Sequence, residues 1–462
     1  MKPLAHTVLS LFILLLPSCE MFESEASTGN TFYIDPVNGS SDGDGSAESP
    51  WLTLEEVIEA GEFKSWGYSE SYPDDSTERE ILNPDGRICG GDTVILMEGH
   101  HGSAVMQGDY VKELTIKAAE GAQATLSKIT VYASSNLRFS GLEIRPDDDY
   151  TENYSLVEIR SYSFSGPTEN ITVEDSLIYS VEDSSDWTET EWTTLDCTGI
   201  AVRDAEYVLL ENNTIRNVGF GISIYDCDNN TIRGNRIENF SGDGMRGIGS
   251  NLTFEYNWVQ DNYNVDDNHD DGFQAFTTGT DYESLDNVIL RGNVIIECTD
   301  QDRDYQGSLQ GIGCFDGFFG NWTVENNLVL VHAYHGISLY GANDCTVINN
   351  TVADPFPGGD SSRSWIYITD LKDGTPSEGC LVRNNMAHSI SAANQQMDHN
   401  ETYTYDDLES YFADPFNYDF TPAEGSPALN AGTILLAPDW DLYENPRVRG
   451  SSADLGAIEK ID

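Results

Sequence analysis

The sequence predicts an all-β solenoid, a right-handed parallel β-helix with an N-terminal capping helix, and three observations carry that reading. The first is a repeated pattern, an alternating apolar run interrupted by a small or Asn residue before the next apolar position. It appears as LRFSGLEI at Gly141, TVEDSLI at Ser176, LLENNTI at Asn213, TIRGNRI at Asn235 and TFEYNWV at Asn257. It continues as ILRGNVI at Asn293, TVENNLV at Asn327, TVINNTV at Asn350 and LVRNNMA at Asn385. The second is spacing. Successive gaps of 35, 37, 22, 22, 36, 34, 23 and 35 residues give a base period near 22 with insertions between coils, and a period of this length means one supersecondary unit stacked on the next. The third is the two-residue alternation within each unit, which belongs to strands and not helices. An Asn just before each turn is expected to hydrogen-bond its copy in the next coil, forming a buried ladder.

The elements follow in chain order. Residues 1–19 read as a processing signal: Lys2 gives the positive start, Leu9 to Leu16 the apolar stretch, and Leu16-Pro17-Ser18-Cys19 the end. That tetrapeptide resembles a bacterial lipobox, which implies lipidation at Cys19, a membrane attachment through that lipid alone, and an outer-membrane protein facing the periplasm or the cell surface; plain secretory cleavage remains the alternative. Glu20, Glu23 and Glu25 follow, resembling the surface-export signals of some Bacteroidetes lipoproteins. Residues 20–30 read as a tether. TLEEVIEAGEF is an amphipathic helix with Thr53 as N-cap and Leu54, Val57 and Ile58 on one face, suited to covering the open end of a solenoid. GDTVILMEG and ELTIKAAEG open the first coils, the β-helix spans residues 31–395 including its N-terminal cap, and residues 396–462 form a C-terminal cap region ending in DLGAIEKID. No stretch after the signal approaches the roughly 20 apolar residues of a membrane span.

A formal charge of −56, from 79 acids against 23 bases, excludes nucleic acid as partner, because phosphates need a basic face. So large an excess suits a salty habitat, where screening lengths are short. It opposes a polyanionic substrate unless Ca²⁺ or local Arg and Lys reverse the field at the site. Seven cysteines remain after Cys19, at 89, 197, 227, 298, 314, 345 and 380, with no CxxC pair and no His at zinc spacing. They read as small buried residues of the coils. The chain is expected to be a monomer.

Stacking the segments that follow each Asn locates a site. FGISIY (220–225), DGMRGI (243–248), DGFQAF (271–276), QGIGCF (310–315) and HGISLY (335–340) each place Gly before an apolar residue expected to point inward. Alternation then gives outward columns readable at about 4.8 Å per coil. One column is Ser223, Arg246, Gln274, Gly313 and Ser338; a second is Tyr225, Ile248, Phe276, Phe315 and Tyr340; a third, before the Gly, is Phe220, Asp243, Asp271, Gln310 and His335. Aromatic faces bury the C–H surface of sugar rings, so Gln274, Tyr225, Phe276, Phe315, Tyr340, Arg303 and His335 are the candidate substrate-binding residues. Packing of these aromatics under loops is the competing reading. The densest constellation is VDDNHDDGFQ, whose Asp266, Asp267, Asp270 and Asp271 repel one another unless a cation or proton intervenes. Such oxygen-rich ligation suits Ca²⁺, and a solvated acidic loop is the alternative. His269, within this run, titrates near neutrality and suits general acid–base work.

The opening FYIDPVNGS…SPWLTLEEVIEAG, the NNTI coils and the SPALNAG…DLGAIE ending resemble secreted β-helix proteins of carbohydrate metabolism: polysaccharide lyases, some glycoside hydrolases and alginate C5-epimerases. NHDDGFQ is similar to the Asn-Ser-Asp-Asp-Gly element of one pectate-lyase family, which implies calcium on the acids. It also resembles the Asp-Pro-His element of alginate epimerases, which implies catalytic His and Asp; Asn268 stands where that element has Pro. The resulting expectation is a lyase or epimerase acting on a uronate polysaccharide. Arg246 with Ca²⁺ neutralises the carboxylate, His269 removes the C5 proton, and Tyr305 protonates the leaving oxygen. A glycoside hydrolase using Asp243 and Asp271 on adjacent coils, and a carbohydrate-binding surface without catalysis, remain open at this stage.

Overall fold

A computed structural model describes residues 29–68, 72, 78–277, 284–356, 364–447 and 452–461. The expected signal segment, Cys19 and nearly all of the tether lie outside these residues. The strands stack in parallel, coil upon coil, into one sheet of 25 strands, a second of 12 and a third of three. The coils wind as a right-handed β-helix, the hand that parallel crossovers take.

The core is a set of vertical stacks. Ile200, Ile222, Met245, Phe273, Ile312, Ile337 and Ile366 lie directly over one another through seven coils, each at most 1% exposed. The Gly before each of the first six is required by the opposite sheet. A Cβ on Gly272 would meet the Ile295 side chain at 2.4 Å, and one on Gly336 would meet Val352 at 2.2 Å, so the two sheets close on each other only where a side chain is missing.

The Asn ladder forms as expected. The amide of Asn213 donates to Asn235, Asn235 to Asn257, Asn257 to Asn293, Asn293 to Asn327, Asn327 to Asn350 and Asn350 to Asn385, all at 2.9–3.0 Å. Each side-chain oxygen also accepts the backbone N–H of the Asn one coil below, as Asn327 does from Asn293 at 2.9 Å. The residue just before each rung takes a left-handed bend, with φ of 55° at Asn212, Tyr256 and Asn384 and 57° at Asn326. This turns the chain and aims the next side chain inward. Two details differ from the sequence reading. Gly141 occupies the bend, so Leu142 holds the rung position and its N–H donates to Ser176 Oγ at 3.2 Å. The ladder also continues beyond residue 395 to Asn400 at 3.1 Å, with coil strands at Gln396–Asp398 and Glu401–Thr402.

At the N-terminal end, the helix Leu54–Glu59 buries Leu54 and Val57, and Thr53 Oγ1 accepts the Glu56 N–H at 3.2 Å. The C-terminal region is not confined to the end of the stack. Leu408, Phe412, Phe420 and Leu455 pack along its side against Val294, Ile296, Leu328 and Leu330. Those strands are apolar on both faces, so their outer side needs this cover. Arg447, fully buried, fastens it through bonds to the Gly456 and Ala457 carbonyls at 3.0 and 2.9 Å and to Asn326. All seven described cysteines are free thiols, six of them buried.

Candidate active site

Register confirms one outward column and breaks another. Ser223, Arg246, Gln274, Gly313 and Ser338 are paired coil to coil. The aromatic column is interrupted. Ile248 ends its strand with its side chain fully buried in the core, because strict alternation holds only within a strand. An irregularity after Ala275 pairs Phe276 with Asp316, displacing Phe315 from the row. Tyr225, Phe276, Phe315 and Tyr340 themselves are half-buried on the face.

His269 and Asp271 form the centre. The loop after Val265 brings the exposed His269 ring over the start of the strand Asp271–Phe276, where Nδ1–H donates to Asp271 Oδ2 at 3.0 Å. Asp271 is fully buried, and the Gln274 amide donates to the same oxygen at 3.0 Å. Its Oδ1 has no hydrogen-bond partner and lies against Gly313, where a Cβ would stand only 2.0 Å away. Burial pushes the Asp271 carboxyl up, opposed by the bond to His269, and that bond holds the imidazole above its ordinary value of 6.5. His269 Nε2, facing away from Asp271, bonds no described residue. One coil below, the buried Asp243 accepts the Asp271 backbone N–H at 3.0 Å and the Arg246 guanidinium at 2.6 Å. Burial raises Asp243 as well, with Arg246 opposing. Arg246 lies 4.8 Å from the Phe220 ring centre and 5.6 Å from that of Phe276, so salt bridge and aromatic faces fix its plane.

The expected calcium ligands do not fit the ion. Asp266 and Asp267 are exposed, and Asp266 Oδ1 accepts the Asn268 N–H of its own loop at 2.7 Å. Asp270 is buried, its oxygens held by the amides of Asn262 at 3.0 Å and Asn268 at 3.3 Å. Burial pushes its carboxyl up to about 8. Among the described residues no three His, Cys, Asp or Glu side chains are placed to share a metal.

Two further expectations are corrected. The Arg303 side chain is 7% exposed; it reaches the Asn262 carbonyl and Asp261 and covers the Tyr263 ring at 4.4 Å, pinning its own loop instead of facing a ligand. Tyr305 is drawn the same way, its hydroxyl accepting the Glu189 N–H at 3.2 Å and making no described contact with His269. Above the centre, His335 packs at a tilt against Phe315, ring centres 4.5 Å apart, and bonds Ser338 Oγ at 2.9 Å; burial pushes it down to about 4, leaving it neutral. Trp365 and Tyr367 extend this patch, Trp365 lying 5.2 Å from His335 and Tyr367 6.0 Å from Tyr340. Their coil, WIYIT, lacks the Gly-apolar start of the others, and its Trp-Ile-Tyr-Ile alternation was the available signal.

A search of curated protein sequences finds no match. Among solved structures, pectate lyase Pel9A superposes with a TM-score of 0.51 at 15% identity, covering 94% of this chain and 97% of that one. The A-module of the Azotobacter vinelandii mannuronan C-5 epimerase AlgE6 gives 0.43 at 13% identity, covering 68% and 91%. A mannuronic acid specific polysaccharide family 6 lyase from human gut microbiota gives 0.42 at 12%, covering 68% and 79%. At these identities the likeness is one of fold. Residues 115–352, more than half of the chain, match the family described as "Right handed beta helix region", and the chain belongs to that family.

Proposed function

We propose that this face removes the C5 proton from a uronate residue of a polysaccharide, as a lyase or a C5-epimerase. The observation that carries the reading is an exposed imidazole held by a buried carboxylate: Asp271 fixes the His269 tautomer and supports the imidazolium, leaving Nε2 directed outward. Arg246, fixed beside the pair, neutralises the sugar carboxylate as the carbanion develops. In elimination the C5–H electrons form the C4–C5 double bond, the C4–O4 bond breaks, and the imidazolium returns its proton to the departing oxygen. An epimerase shares the first step and reprotonates C5 from the opposite side.

The hydrolase alternative is weaker. Asp243 and Asp271, its two carboxyls, are 1% and 0% exposed and already engaged within the protein, so neither meets a glycosidic oxygen. Export and lipid attachment at Cys19 belong to the same proposal; Cys19→Ala is expected to release the protein from the membrane fraction.

The test is the ultraviolet absorbance of an unsaturated product on a panel of uronate polymers, with and without EDTA. A rise that survives EDTA and disappears in His269→Ala supports elimination by this pair. A proton-exchange signal at C5 by NMR without absorbance identifies the epimerase. New reducing ends without unsaturation, or retention of polymer with no turnover, would overturn the reading in favour of hydrolysis or binding.

A further inference from the structure

A cleft of about 330 Å³ opens beside Arg246, on the N-terminal side of the His269–Asp271 pair, and three of its walls are arginines: Arg160, Arg203 and Arg246. Arg160 and Arg203 occupy the same column one coil apart, and Arg203 is in register with Tyr225. Arg246 lies one coil beyond Tyr225, in the neighbouring outward column through Ser223. The three guanidinium groups therefore run across four coils, roughly 14 Å along the helix axis at ~4.8 Å per coil.

Charge makes this cleft unusual. With 79 acids to 23 bases, nearly every arginine is paired. Among the described arginines only Arg203 and Arg216 have no carboxylate within 4.0 Å, and Arg216 lies on the other sheet, over Tyr179. Arg203 is exposed, and its guanidinium rests 4.4 Å above the Tyr225 ring, which fixes its plane and leaves its donors directed to solvent. Arg160 is braced similarly, 4.1 Å over Tyr162 and 3.2 Å from Glu158, whose other partner is Lys128 at 3.1 Å. By contrast, the cavity of about 620 Å³ near the first coils is lined by Glu98, Glu143, Asp147, Asp148 and Glu182 and would repel an anion. An unpaired, aromatic-backed guanidinium in so acidic a molecule is suited to a planar anion taken bidentately.

We propose that Arg160, Arg203 and Arg246 form an anion ladder that holds acidic groups of a polysaccharide chain laid parallel to the helix axis. The ladder delivers the chain to His269 from the N-terminal side. This rests on the uronate reading of the active site and adds to it the direction of the chain and the residues that overcome the negative field. The shared ligand chemistry is an anionic sugar, and carboxylate and sulfate ester are its two sources.

The experiment is isothermal titration of His269→Ala protein, which binds without turnover, with oligogalacturonate, oligomannuronate, a sulfated dextran oligomer and neutral dextran. Companion proteins add Arg203→Gln or, as a control with the same charge loss on the other sheet, Arg216→Gln. The expected result is binding of one anionic class over neutral dextran and a loss of about tenfold or more on removing Arg203, against less than about twofold on removing Arg216. Preference for uronate over sulfate, or the reverse, identifies the source. Equal effects of the two substitutions, equal retention of neutral dextran, or no binding of any anionic oligomer would overturn the ladder. Turnover by the otherwise unaltered protein is scored separately. Turnover with no effect of Arg203→Gln rejects the ladder and leaves the active-site reading intact; Arg203-dependent binding with no turnover does the opposite.

Discussion

Replacing Asn293 by Ala tests how the coils are held in register. Its side-chain oxygen accepts the Asn257 backbone N–H at 3.1 Å and the Asn257 amide at 3.0 Å, while its own amide donates to the Phe254 carbonyl at 2.9 Å and to Asn327 at 3.0 Å. Four bonds are lost at ~1 kcal/mol net each, and Asn257, itself buried, keeps at least one orphaned donor at ~1–3 kcal/mol. The expected cost is about 5–7 kcal/mol. The chain supplies an internal standard at Ser176, whose hydroxyl accepts one N–H at 3.2 Å and donates once at 2.9 Å. Asn293→Ser should therefore recover about half of the loss, roughly 3 kcal/mol. Guanidinium unfolding followed by circular dichroism gives the free energies, and hydrogen exchange should show the opening centred on the coils of Asn257, Asn293 and Asn327. A loss below ~1.5 kcal/mol for Asn293→Ala, or a Ser variant as damaged as the Ala one, would refute the ladder as a main source of register.

Three further outcomes are expected. Because Asp271 raises His269 above 6.5 and the base must be neutral to act, kcat/KM should climb with pH above 6.5 and then level. Asp271→Asn should move that rise to lower pH and reduce the plateau by about 10²–10⁴-fold, and the histidine shift is readable by NMR without substrate. Gly313→Ala, whose Cβ would stand 2.0 Å from Asp271 Oδ1, should displace the carboxylate, lowering kcat while the melting temperature falls by an amount equivalent to only ~1–3 kcal/mol. Arg303→Ala should lower stability through its loop, by about 1–3 kcal/mol, and leave the pH midpoint of activity in place; a moved midpoint would return Arg303 to the site.

The solenoid was legible because its repeat is encoded locally, one Asn and one Gly per coil, and the outward column from Ser223 to Ser338 followed from counting by twos. Counting failed where a strand ended, at Ile248, and where the register slipped, after Ala275. His269, Asp271, Asp243 and Arg246 were found because they flank the repeat and are tied to it. Arg303 and Tyr305 come from an insertion, and nothing in the local residues tells that their loop folds back onto Asp261 and Glu189. The four-aspartate run suggested a cation because sequence counts charges and does not see burial; two of those acids face solvent, and the buried Asp270 is held by the amides of Asn262 and Asn268. Trp365 was missed for want of the Gly marker.

The rungs of the Asn ladder also act as an index. The gaps between consecutive rungs vary from 15 to 37 residues, yet each rung resets the chain to the same angular position before the next strand begins. An insertion between rungs therefore changes what overhangs the face without rotating the face itself. Loop length and columnar alignment become separate variables, so overhanging segments such as the one bearing His269 can be exchanged between coils while the arginine and glutamine columns beneath them stay where they are.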